Sequence, residues 1–253
     1  MVTNFLKSKV IWLDSVDSTN EEAKRRLKDC TKSTWIISKK QSKGKGRNGN
    51  SWVSSEGNFS GSLIFFPTVE RSQFHFYGFF FAVALYNTLK KILKDDTDIR
   101  LKWPNDILIE NGKVAGILLE SIETNKKSGV GLIIGVGVNL NSAPSFAMNS
   151  VLKYSTQCVA NFSNDKINLL SFFKTFNDEL IKLEANIEEK NLHTILKLWQ
   201  TRSYDKGASI KFSDKEGEIK VGIFLGLDEL GGLIVGENSG VKKIYSGDVY
   251  FGS

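Results

Sequence analysis

The sequence predicts an α+β fold in two units, a larger one of strands and helices over residues 1–204 and a small β-barrel over residues 205–253. Three observations carry this expectation. Strand-like and helix-like periodicities mix as far as about residue 202, only short glycine-punctuated strands follow residue 208, and 253 residues suit one large and one small domain.

Residues 9–13 read as a strand. In Asp17-Ser18-Thr19-Asn20-Glu21-Glu22, either Ser18 with Glu21 or Thr19 with Glu22 would make a capping box, opening a short helix to about Lys28. Residues 34–39 form a second strand. Residues 41–57 are rich in Gly, Ser, Asn and Lys without apolar periodicity, so they form a long loop, and long loops inside compact domains tend to carry function. Residues 59–66 are strand-like. Over residues 74–93, Phe76, Phe80, Val83 and Leu89 fall near helical spacing, and Phe79 and Phe81 broaden the apolar face into that of a well-buried helix. Short strands at 99–102 and 107–109 flank Trp103-Pro104-Asn105-Asp106. Asn111-Gly112 is a two-residue hairpin signal leading into a strand at 113–122, and residues 129–140 complete a meander. Residues 168–189 and 192–202 are helical, with Leu170, Phe173, Leu180 and Leu183 pointing inward. After Tyr204, turn signals at 214–217, 228–232 and 238–240 punctuate the strands of a small barrel, which puts the boundary at residues 203–207.

With 41% hydrophobic and 25% charged residues, the composition is that of a soluble globular protein. No apolar run approaches the roughly 18 residues of a membrane span. The N-terminus has no signal-peptide h-region, so a cytoplasmic location is expected. Cys30 and Cys158 belong to no metal-ligand spacing, and His75 and His193 lie in no HExxH, which argues against zinc catalysis. The net charge of +6 suits an anionic ligand or nucleic acid. Its distribution is more telling: residues 30–55 contain no acid, while Lys32, Lys39, Lys40, Lys43, Lys45 and Arg47 are all basic.

Gly44-Lys45-Gly46-Arg47-Asn48-Gly49 matches GxGxxG, but residues 50–58 are a poor helix opening, so a dinucleotide fingerprint is not expected. HRD and DFG signatures of a kinase are absent. Three glycines would let the backbone turn tightly and aim N–H groups at an anion, with Lys45 and Arg47 adding charge-assisted hydrogen bonds. A solvated basic turn is the alternative. In Lys102-Trp103-Pro104-Asn105-Asp106, Pro104 fixes the chain direction, so Asn105 and Asp106 would be presented from a rigid turn. Asn105 could read a base edge, and Asp106 could hold Mg²⁺ or orient a lysine, or both could be plain turn chemistry. Lys113 would project from a stiff hairpin, either as a catalytic group or as a solvent lysine.

Taken in order, residues 17–20, Gln41 with residues 44–49 and Trp52, residues 102–106, residues 113–116 and residues 135–139 resemble the motifs of biotin–protein ligases. The resemblance runs from about Val10 to the end, the last strands looking like that family's SH3-like domain, and it implies a mixed sheet packed with helices for the catalytic part. It implies ATP-dependent activation of biotin to biotinyl-5′-AMP and transfer to a lysine of a biotin carboxyl carrier domain. Ser18, Thr19, Asn20 and Gln41 would line the biotin pocket, and Lys45, Gly46 and Arg47 would order over biotin and the adenylate. Lys113 would be the central cation, acting with Arg47. Gly116, Gly135 and Gly137 would allow close backbone approach to ligand. Trp52, Lys102, Asn105, Asp106 and Asn139 would serve ATP and the adenylate, with Mg²⁺ arriving with ATP. Lys45 and Asn50 stand where the family commonly has arginine, and lysine cannot reproduce arginine's bidentate fork. A lipoate or octanoate transferase is the neighbouring alternative, and a nucleic-acid-binding module is the alternative of a different class. Neither membrane nor DNA binding is expected: the residue 17–20 motif begins too early to leave room for an N-terminal helix-turn-helix domain. A homodimer is compatible with the resemblance.

Overall fold

A computed structural model describes residues 8–124, 129–144, 155–186, 192–213 and 218–251. The larger sheet is built from β1 (Lys9–Leu13), β2 (Thr34–Ser38), β3 (Phe59–Phe65), β4 (Ile99–Lys102), β5 (Asp106–Ile109), β6 (Gly112–Glu123) and β7 (Val130–Val138). Its strand order is β1-β2-β3-β7-β6-β5-β4, and the β1–β2 pair is parallel while the rest are antiparallel, so the sheet is mixed. Four helices accompany it: α1 (Thr19–Arg26), α2 (Phe76–Ile92), α3 (Leu169–Asn186) and α4 (Leu192–Gln200).

Side chains alternate across the strands and divide the sheet into two unlike faces. Trp35 and Ile37, Leu63 and Phe65, and Leu132 and Ile134 join the main core, which α2, α3 and α4 cover with Phe79, Phe81, Phe172, Phe176 and Trp199. On the other face, Ile36, Ile64 and Ile133 pack with Ala23 of α1 and with Leu27, the residue that caps its end. That helix covers only part of its face, and the uncovered remainder becomes the site.

The C-terminal strands β8 (Ser209–Ser213), β9 (Ile219–Leu227), β10 (Leu233–Glu237), β11 (Gly240–Ile244) and β12 (Asp248–Phe251) form an antiparallel sheet of order β11-β10-β9-β8-β12. This sheet is docked on the larger unit: Trp103 Nε1 donates to Gly231 O at 3.0 Å, and the Leu227 amide donates to Gln200 Oε1 at 3.0 Å. No helix among the described residues is long and apolar enough to cross a membrane.

Three local expectations need correction. No capping box closes α1: Ser18 is the N-cap without a side-chain cap bond, because Glu21 is drawn to Lys24 and Lys45, and Thr19 to Gln41. The hairpin turn sits one residue earlier than Asn111-Gly112. Ile109 pairs with Gly112, so Glu110 and Asn111, both at positive φ, form the two-residue turn. Leu170 is 49% exposed, and Phe172 and Phe176 take the inward positions instead. The helical stretch at 168–189 is seen as far as Asn186, and the expected turn at 214–217 lies outside the described residues.

Candidate functional site

Register places one residue from each of six strands in a single row across the uncovered face. Ser38 pairs with Ser60, Ser60 with Gly137, Gly137 with Gly116, Gly116 with Asp106, and Asp106 with Lys102. Such a row is short or polar where a packed sheet would be apolar, and its two glycines, Gly116 and Gly137, lie in the floor of a chamber of about 130 Å³. The next row is Ser62, Gly135 and Leu118. The glycines make room for protein side chains: a Cβ at Gly135 would lie 2.2 Å from Asn20 Oδ1, and one at Gly137 would lie 2.4 Å from the Trp52 ring. The expected close approach at these two positions is therefore taken first by Asn20 and Trp52.

One wall is the start of α1. The Thr19 amide and hydroxyl both donate to Gln41 Oε1, at 2.7 and 3.1 Å. Asn20 Nδ2 donates to Glu120 Oε2 at 2.8 Å, and its Oδ1 accepts from Ser62 Oγ at 2.5 Å. Asn20 is thus fixed at both ends of its amide. Burying these polar groups is tolerable because each finds a partner.

The opposite wall is the glycine loop, folded as a miniature hairpin. Gly46 N–H bonds to Asn50 O, Asn50 N–H to Arg47 O, and Trp52 N–H to Gly44 O. Those amides close the loop, which leaves side chains rather than a cradle of these N–H groups to meet an anion. Arg47 Nη1 donates to Asn105 Oδ1 at 3.2 Å, while Asn105 Nδ2 is bound to Ile117 O. Both ends of Asn105 are engaged, so its clearest task in this state is to aim Arg47. Lys45 reaches back to Glu21 at 2.7 Å, tying the loop to α1.

Behind the floor, Asp106 is shared by two lysines, with Lys113 Nζ 2.7 Å from Oδ1 and Lys102 Nζ 3.1 Å from Oδ2. Burial would raise the Asp106 pKa, but the charges of Lys113 and Lys102 outweigh it and hold the carboxyl at about 2. Burial pushes the Lys102 ammonium below the ordinary lysine range, against the pull of Asp106. Lys113 keeps a 30% exposed side chain and stands 5.7 Å from the centre of the Trp52 ring. It faces the chamber because β6 bulges: Leu108 pairs with Lys113 but Ile107 with Ala115, so Val114 is the extra residue that puts Lys113 and Gly116 on one side.

Of the residues expected at the site, Ser18, Thr19, Asn20, Gln41, Lys45, Gly46, Arg47, Trp52, Asn105, Asp106, Lys113, Gly116, Gly135 and Gly137 all line this chamber. Lys102 and Asn139 do not. Lys102 is buried behind Asp106 with Tyr250 of β12 over it at 5.0 Å, and Asn139 Nδ2 bonds to Gln157 O at 3.2 Å. Three residues of the constellation were not singled out from sequence: Ser62, Glu120 and Asp248. The first two lie on the site face by strand alternation, whereas Asp248 comes from the C-terminal sheet, about which local pattern says nothing. A second, mostly apolar cavity of about 480 Å³ adjoins the chamber between α2, Trp103-Pro104 and Leu230-Gly231, sharing Arg47, Asn105, Ile117 and Leu118 with it.

Both units of the chain resemble known proteins. Residues 12–139 match the biotin/lipoate A/B protein ligase family, and residues 207–252 match the biotin protein ligase C-terminal domain. The chain is 31% identical over 241 residues to the biotin–[acetyl-CoA-carboxylase] ligase of Paracoccus denitrificans, spanning 95% of this chain and 99% of that one. It is 29% identical over 260 residues to the bifunctional ligase/repressor BirA of Bacillus subtilis, spanning 99% of this chain and 76% of BirA. The structure of a biotin protein ligase from Aquifex aeolicus in complex with biotin and ATP matches with a TM-score of 0.77 at 25% identity, over 96% of this chain and 98% of that one. The chain belongs to the biotin/lipoate A/B protein ligase family, among its biotin–protein ligases.

Proposed function

We propose that the chain joins biotin to ATP as biotinyl-5′-AMP with release of pyrophosphate, then passes the biotinyl group to a lysine of a biotin carboxyl carrier domain, in the cytoplasm. The observation that carries the residue assignment is the convergence of Arg47 and Lys113 over a glycine floor, with Lys113 held 2.7 Å from a fully charged Asp106. Biotin's carboxylate must meet the α-phosphate of ATP, and no enzyme nucleophile is required. What the step does require is the neutralisation of two approaching anions and their alignment, which preorganised cations supply. Arg47, aimed by Asn105, would take phosphate oxygens through its fork. Lys113 would bridge carboxylate and phosphate. Ser18, Thr19, Asn20 and Gln41 would hold the biotin end against Gly116, Gly135 and Gly137, while Lys45 and Gly46 would close over it, excluding water from a hydrolysable anhydride. Trp52 would form the apolar side of the chamber. Lys102 would act through Asp106, and Asn139, buried outside the chamber with its amide on Gln157 O, would brace the chain beside the site instead of touching adenine. The catalytic part would end near residue 204.

Magnesium would enter with ATP. Asp106 makes a poor ligand for it, since each oxygen already faces an ammonium, and among the described residues no group of three His, Cys, Asp or Glu side chains could hold a metal.

The test is exchange of labelled pyrophosphate into ATP, with biotin or lipoate as the acid. Biotin should drive exchange and lipoate should stay near background, and faster exchange with lipoate would transfer the assignment to the other branch of the family. A related expectation concerns the floor. Gly137→Val would force Trp52 from its seat and should raise the KM for biotin about tenfold or more, ~1.4 kcal/mol of binding. A normal KM in a normally folded variant would mean that this row does not face the ligand.

A further inference from the structure

We propose that Asp248, the first residue of β12, is a positioning residue for the second half-reaction: its carboxylate receives the ammonium of the acceptor lysine once Arg47 has turned to the adenylate. This rests on the reading that the chamber makes and consumes biotinyl-adenylate.

Among the described residues that line the chamber, the acids are Asp106 and Asp248, and their situations are opposite. Asp106 is enclosed, with Lys102 on one oxygen and Lys113 on the other, so it has none to offer. Asp248 has a 42% exposed side chain, and its Oδ1 stands 3.8 Å from Arg47 Nη1, beyond hydrogen-bond reach. That same Nη1 makes a true hydrogen bond to Asn105 Oδ1 at 3.2 Å. Arg47 is therefore held loosely on the Asp248 side, and a phosphate that takes both arms of the guanidinium would draw it away. Asp248 itself stays where it is, because it is paired in register with Ser213 of β8.

The arriving group needs such a carboxylate. A lysine reaches the chamber as an ammonium, and the walls already carry Lys45, Arg47 and Lys113. An anion at the rim offsets that like-charge field where the lysine enters. In the transfer, the ammonium loses one proton to solvent and the amine attacks the acyl carbon. The C–N bond forms, the C–O bond to phosphate breaks, AMP leaves with the electron pair, and the second proton goes to solvent. Asp248 orients the ammonium before these events and makes no bond in them. It also makes the C-terminal sheet a contributor to the site.

The experiment compares wild type, Asp248→Asn and Asp248→Glu in three assays: biotin-dependent pyrophosphate exchange, transfer from preformed biotinyl-AMP to a carrier domain, and trapping of the same adenylate by hydroxylamine, a neutral nucleophile. In Asp248→Asn, carrier transfer should fall at least about tenfold further than exchange, mainly through the KM for the carrier, while hydroxylamine trapping changes no more than exchange does. Asp248→Glu should recover most of the loss. If carrier transfer and trapping fall together, Asp248 merely supports the fold and the proposal fails. It fails equally if carrier transfer is unaffected. Absence of biotin-dependent exchange in the wild type would instead overturn the underlying reading.

Discussion

Lys113→Ala should lower biotin-dependent pyrophosphate exchange by about three orders of magnitude. Two unit negative charges meeting about 4 Å apart at an effective dielectric near 20 repel by roughly 4 kcal/mol, and each ~1.4 kcal/mol on a barrier is a factor of ten. Lys113 is the cation best placed to remove that repulsion. It projects from a strand instead of a loop, a bulge turns it to the chamber, and Asp106 at 2.7 Å limits its wandering. The alanine variant should still fold, because Asp106 keeps Lys102 as a partner at 3.1 Å. A normal melting temperature with collapsed exchange is therefore the expected pair of results. Lys113→Arg should recover part of the rate, since it restores the charge without the single-point geometry. Exchange at the wild-type rate in the alanine variant would remove Lys113 from the mechanism.

The order of elements was legible in the sequence because it depends on local signals. The short β-branched and aromatic runs Thr34–Ser38 and Phe59–Phe65, the phenylalanine-rich helical stretch before Ile92, and the glycine-punctuated strands after Ala208 each declare themselves within a few residues. What failed locally was decided by distant partners. Gly112 became a strand residue, and a Cβ there would lie 2.1 Å from Gln157 Cγ, a residue 45 positions away that no hairpin signal anticipates. Glu21 left the capping position for Lys24 and Lys45. The site was legible as motifs but not as a surface. The row from Ser38 to Lys102 exists only once six strands are in register, and the Val114 bulge that aims Lys113 has no sequence signature. Asp248 was invisible for the same reason, arriving from another sheet.

Asp106→Asn should be the most destabilising single change near the site. It removes the carboxylate that Lys102, with only 3% of its surface exposed, faces at 3.1 Å, and breaking a buried ion pair on one side typically costs about 3–5 kcal/mol. For a chain of this size that corresponds to a melting-temperature drop on the order of 10 °C. Adding Lys102→Met should restore much of the loss, because a buried apolar chain of similar length needs no counter-charge, and the two changes would then be strongly non-additive. The pH dependence follows the same pair. The carboxyl of Asp106 sits at about 2 in the fold, below its ordinary value of roughly 3.9 in an unfolded chain. A depressed carboxylate pKa contributes stability that is complete above about pH 4 and is lost as pH falls toward 2, here on the order of 2 kcal/mol. Other acids are held below the ordinary carboxylate range as well, Asp17 by its hydrogen bonds from Arg25 and Glu21 by those from Lys24 and Lys45, so the readout is the difference between wild type and Asp106→Asn. Wild type should lose more stability than the variant between pH 4 and 2, narrowing the gap in melting temperature. Parallel melting curves over that interval would show that Asp106 is not the ionised anchor of Lys102 and Lys113.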